Sequence, residues 1–194
     1  MRKLAILLGG AIVLAACSHN PPPAPPPPPA PDLNNLLMAP GFLVHAGSAN
    51  QFEIQSSQLA LQASSNPGVR NFANTLINDH TMMGQQVAAA AASAGITPPP
   101  PVLLPSEQAM LDQLTAAGTG PSFDMAFQQA QIVGHQQAIG LMQNYAANGD
   151  VPALRTVAGQ AIPVMQNHLA MAQALVTAPP PPPPPPITQP GERG

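Results

Sequence analysis

Four long stretches of this chain repeat their apolar residues at helical spacing, and the links between them are very unequal in length. The first stretch runs from about Gly41 to Ser65, with Phe42, Ala46, Ala49, Phe52, Leu59 and Ala63 on one stripe. The second opens at Asn66-Pro67, a capping residue followed by Pro at the first helical position, and carries Val69, Phe72, Leu76, Met83 and Val87. It ends near Ala94-Gly95, where glycine can take the left-handed cap. The third runs from Ser122 to about Asn148 and the fourth from Val151 to about Thr177, with Asp150 as its expected cap and Pro163 as an expected kink. Two of the three links have three residues or fewer, so the first helix must be the antiparallel neighbour of the second, and the third of the fourth. The remaining link, about 27 residues, holds Pro98-Pro101 and a short helix from Ser106 to Ala117. It is long enough to travel the length of a bundle. The expected fold is all-α: a four-helix bundle with one long crossover connection that carries a short extra helix.

Outside residues 40–177, which should form this bundle, the chain reads as tails. Met1-Arg2-Lys3 is a basic start, an apolar stretch from Leu4 to Ala15 follows, and Leu14-Ala15-Ala16-Cys17 ends it. Residues 1–16 therefore read as a signal peptide, too short to span a bilayer. The small residues before Cys17 resemble a bacterial lipobox, which implies that Cys17 is lipidated and becomes the new N-terminus. Ser18 in place of Asp after that Cys points to the outer membrane. Residues 17–39 contain PPPAPPPPPAP, a stiff polyproline rod that would hold a folded domain away from a membrane, and residues 178–194 form a second proline-rich tail. With Arg2 and Lys3 removed, three Arg and no Lys face eight carboxyls. No basic cluster is left for a nucleic acid partner. The single Cys rules out an intrachain disulfide and a cysteine-rich zinc site.

Within the four stripes, one polar residue per helix interrupts the apolar pattern: Glu53, His80, His135 and His168. Glu53 lies about 12 residues before the first turn and His80 lies 13 after Pro67, so both sit roughly 18–20 Å from that turn. His135 lies 13 after Ser122, level with His80 if the connector crosses the bundle. His168 is out of step by roughly 6 Å, a gap that a kink at Pro163 can change. A single histidine in a core is ordinarily a satisfied polar group. Four such groups at one level must either hydrogen-bond to one another or share a cation. Imidazole with carboxylate suits one transition-metal ion, Zn, Fe or Cu. His45, two turns before Glu53, and Gln131, one turn before His135, are candidates for supporting groups or plain core residues. Met82, Met83, Met142 and Met165 are potential soft copper ligands, although methionine at helical spacing more often fills core space.

The series Phe52-Glu53-Ile54, Asn66-Pro67-x-Val69-x-x-Phe72-Ala73, Asn78-Asp79-His80, Phe123-Asp124, His135-Gln136 and Ile162-Pro163-x-x-x-x-His168-Leu169 resembles the bacterial outer membrane protein family of domain of unknown function 4142. The resemblance covers about residues 40–177 and implies a ferritin-like four-helix bundle exported to the periplasm or outer membrane. It brings no established activity. The chain departs from ferritin-like di-iron proteins, which place Glu three residues before the histidine of two helices. Here Ile77 and Met165 stand at those positions. One carboxylate cannot bridge and balance two irons, so an oxidase or storage cage is not expected.

Two functions follow. One is a lipid-anchored helical module of the bacterial cell envelope, without catalytic activity, serving envelope maintenance or stress tolerance through protein contacts. The alternative is a metal-binding protein or metalloenzyme that uses the Glu/His cluster. No phosphate loop or nucleophile elbow is visible.

Overall fold

The short links act as the spacing requires. The computed structural model describes residues 30–175, among which five helices and no strand occur: α1 Ala39–Ala63, α2 Pro67–Ser93, α3 Pro105–Ala116, α4 Pro121–Asn148 and α5 Pro152–Ala174. The expected signal peptide, Cys17, most of the first proline-rich stretch and the tail after residue 177 lie outside the described residues. Residues 64–66 and 149–151 join α1 to α2 and α4 to α5 as tight antiparallel hairpins. Around the bundle, α1 packs on α2 and α4, and α5 packs on α2 and α4. No described helix is long and apolar enough to cross a membrane.

Two apolar clusters fix the direction of each helix. One collects the start of α1 (Phe42, Leu43), the later parts of α2 and α4 (Met83, Ala91, Met142, Tyr145) and the first part of α5 (Leu154, Val157). The other collects the end of α1 (Ala60, Ala63), the beginnings of α2 and α4 (Val69, Phe72, Phe123, Phe127) and Ala172 near the end of α5. Helices α2 and α4 are therefore parallel to each other and antiparallel to α1 and α5. The connector does cross the bundle, carrying α3 with it. Leu114 of α3 is buried in the second cluster. Ser48 of α1 fastens the crossover: its hydroxyl accepts from the Leu104 amide at 2.8 Å and donates to Glu107 at 3.1 Å.

Helix starts differ from the expected ones for one reason. Each of the five helices carries a proline in its first two positions. Proline lacks the amide that a first turn leaves unpaired, and its fixed φ suits that turn. Thus α4 begins at Pro121 rather than Ser122 and α3 at Pro105 rather than Ser106, each without a side-chain cap. Asn66 caps α2 as the sequence suggests, accepting from the Gly68 amide at 2.9 Å, and Gly95 takes φ +73° just past its end. Asp150 does not cap α5. The capping position is Val151, and the Asp150 carboxylate instead accepts from the Tyr145 hydroxyl at 2.8 Å. The α5 helix runs unbroken through Pro163.

Candidate metal centre

Between the two apolar clusters lies a polar layer. His80, His135 and His168 are each buried to within about 1% of their surface, as are Gln131 and Ser56, with Glu53 at 2%. The register explains why three histidines meet. His80 and His135 stand at the same distance into parallel helices, and His168 of α5 comes back to the same height. Their ring centroids form a nearly equilateral triangle, 5.7, 5.4 and 5.3 Å on a side. One nitrogen from each ring lies within 4.8 Å of the other two.

The outer nitrogen of each ring is held by an oxygen acceptor, which fixes where its proton sits. His135 Nδ1–H donates to the Gln131 carbonyl at 2.9 Å, His168 Nε2–H to the Asp79 carboxylate at 2.9 Å, and His80 Nδ1–H to the Asn50 side-chain oxygen at 3.1 Å. In the neutral rings the inner nitrogens, His135 Nε2, His168 Nδ1 and His80 Nε2, are then bare lone pairs. His80 Nε2 is buried and has no hydrogen-bond partner. His135 Nε2 and His168 Nδ1 face each other at 3.3 Å. Only a shared proton or a cation relieves such a contact. The proton is disfavoured: burial lowers His135 to about 4, the Gln131 carbonyl bond works against that shift, and nearby His168 adds to it. Burial likewise holds His80 well below the usual imidazole range, helped by charge on His135 and His168.

A cation fits. Two imidazole nitrogens bound at about 2.0–2.1 Å to one tetrahedral ion stand about 3.3–3.4 Å apart, the separation found for His135 and His168. The orphaned His80 nitrogen, within 4.8 Å of the other two, is available as a third donor. Ligating histidines typically donate their other N–H to a carboxylate or carbonyl, and all three do so here.

Glu53, expected as the fourth member, is at the right height but on the wrong side of the ring. Its carboxyl oxygen lies 3.6 Å from His135 Nδ1, the nitrogen that faces away from the cluster. Burial pushes this carboxyl up to about 8, opposed by a hydrogen bond with the Gln131 side chain. Without an ion nearby, burial therefore favours the protonated form of Glu53 at pH 7. Gly134 makes room for it: a Cβ there would come within 3.0 Å of the Glu53 oxygen. Gln131 orients His135 through its backbone carbonyl, while its side-chain amide donates to Ser56 at 2.9 Å. His45 stands apart from the three-histidine cluster, half-buried along a separate cavity of about 260 Å³ that Glu53 and Glu107 also border.

Sequence reasoning missed Asp79 and Asn50. Asp79 sits next to His80 in the chain but bonds across to α5. Asn50 lies one turn before Glu53 on α1 and reaches His80. Both are polar residues adjoining a stripe residue, which was the available signal.

Solved structures with the same fold include CopM in its Cu(II)-bound form, with TM-score 0.58 and 19% identity over 71% of this chain and 94% of that one. CopM in the Ag-bound form gives TM-score 0.56, again at 19% identity, over 71% and 93%. A DUF305 fragment from Deinococcus radiodurans gives TM-score 0.60 and 17% identity over 76% and 97%. At these identities the likeness speaks for the fold. No curated protein matches the chain. The family described as domain of unknown function (DUF4142) matches residues 22–175. The chain belongs to that family.

Proposed function

We propose that this protein is a tethered metal-binding module that holds one late transition-metal ion on His80, His135 and His168. The observation that carries the reading is the pair of facing lone pairs at 3.3 Å, with the orphaned His80 Nε2 beside them. Charge narrows the choice of ion. The three ligands are neutral and buried, and an uncompensated divalent ion would be costly there. The Asp79 carboxylate lies one imidazole away, 2.9 Å from His168 Nε2. One carboxylate balances one monovalent ion, which favours Cu(I), with Zn(II) the divalent competitor. The CopM structures carry copper and silver on a similar helical frame, which is consistent with that choice. When bound, the ion is held rather than presented for a stated reaction. Sequestration in the cell envelope under metal stress is the role that joins this centre to the lipobox at Leu14–Cys17.

Two experiments test the reading. Equilibrium titration of the chelator-treated protein with Cu(I) and Zn(II) should give one equivalent at the histidines. Changing any one of the three to Ala should weaken binding by about 100-fold or more, while Glu53→Gln should change it by less than about threefold. Equal binding by the His→Ala variants would refute the centre. Changing Cys17 to Ser should release the protein from membranes, and retention there would mean that the anchor lies elsewhere.

A further inference from the structure

Beside the histidine triangle, toward the end of the bundle where α2 and α4 finish, lies a cavity of about 130 Å³. His80 and Glu53 border it at the polar layer, Pro98 and Pro101 of the crossover border it on the outside, and Met83, Met142 and Met165 line its walls. These methionines come from three different helices and are each more than 90% buried. Relative to the histidine level, Met83 is three residues further along α2 and Met142 seven further along α4. Met165 is three residues earlier on α5, which runs the opposite way. All three offsets point to the same end, by about 4.5, 10.5 and 4.5 Å along the bundle axis.

Methionine is the side chain that proteins use to fill irregular gaps. Here three of the nine in the chain surround a gap without closing it. Leucine would line such a void with only hydrocarbon. A methionine wall instead brings thioethers, soft, uncharged donors suited to monovalent d10 ions such as Cu(I).

We propose that this cavity is a second cation site, in which the sulfurs of Met83, Met142 and Met165 take a soft monovalent ion, Cu(I) or Ag(I). The site adjoins the histidine centre through His80, so an ion resting on the sulfurs is one side chain away from the imidazoles. The idea extends the reading of the histidine centre but is tested separately from it.

The test uses Ag(I), which is stable in air, and the full chain carrying Cys17→Ser so that no thiol competes. The expected result is two Ag(I) equivalents, with Ag–S scattering in the X-ray absorption spectrum. Replacing Met83, Met142 and Met165 together by Leu conserves volume. That variant should bind one equivalent without sulfur scattering and keep its Zn(II) affinity within about threefold. Two equivalents retained by the leucine variant, or no sulfur signal in the methionine-containing chain, would overturn the proposal. If the leucine variant fails to fold by circular dichroism, the absorption spectrum of the parent decides alone. If the histidine reading is the one in error, His→Ala variants leave silver binding unchanged and the sulfur-bound equivalent remains.

Discussion

Replacing Glu53 by Gln should remove a specific pH dependence from the stability of the metal-free domain. Burial raises the Glu53 carboxyl from 4.5 to about 8. Between those values the folded chain keeps a proton that the unfolded chain releases. Stability from this group is therefore fully present below pH 4.5 and is lost as pH rises through 8. At 1.36 kcal/mol per pKa unit, the decline from pH 5 to pH 8 is on the order of 3–4 kcal/mol. The buried histidines act in the opposite sense. His135, lowered from 6.5 to about 4, subtracts stability as pH falls through that window. Much of the histidine contribution is shared by the two proteins; the part that His135 owes to the Glu53 carboxyl 3.6 Å away stays in their difference. Urea unfolding at pH 5, 6, 7 and 8, with chelator present, measures that difference. Glu53→Gln should match or slightly trail the wild type at pH 5 and exceed it by about 3 kcal/mol at pH 8. A constant gap across the four pH values would show that Glu53 ionises normally and that its surroundings have been misjudged.

Other outcomes follow from the same geometry. Asp79→Asn removes the charge that fixes the His168 tautomer and balances the ion; metal affinity should fall about 10- to 100-fold, read by competition with a chromophoric chelator. Because the Asp79 side chain is partly exposed, the unfolding midpoint of the metal-free protein should hardly move. Acid titration of the loaded protein should show release at a lower pH than ordinary imidazole ligands would give, since His80 and His135 are both held below the ordinary imidazole value. Gly149→Ala should cost about 2–3 kcal/mol in urea unfolding, because the added Cβ would come within 2.5 Å of the Tyr145 ring, itself stacked on Phe42 with centroids 3.8 Å apart.

Heights along helices were legible from the chain because residue count and rise fix them. Counting from the two short turns placed Glu53 and His80 on one level, and His135 with them once the long connector crosses the bundle. Rotation about each helix axis was not legible to the same degree. Glu53 occupies the expected level yet meets the outward nitrogen of His135, a difference of ring face that counting does not resolve. Asp79 was passed over because its neighbour His80 fits the core stripe. Adjacent helical positions differ by about 100°, and the second direction pointed at α5 rather than at solvent. His168 reaches its partners despite a count that put it roughly 6 Å away. Asp150 looked like a cap from its position, but the Tyr145 hydroxyl claims its carboxylate.

The three imidazoles come from positions 80, 135 and 168, so neither hairpin by itself assembles the set. During synthesis the last donor emerges only after most of the chain has been made, and it docks only when the closing helix has turned back. A chain whose closing helix has not yet docked would present isolated histidines, each with the weak appetite of a single donor for an ion.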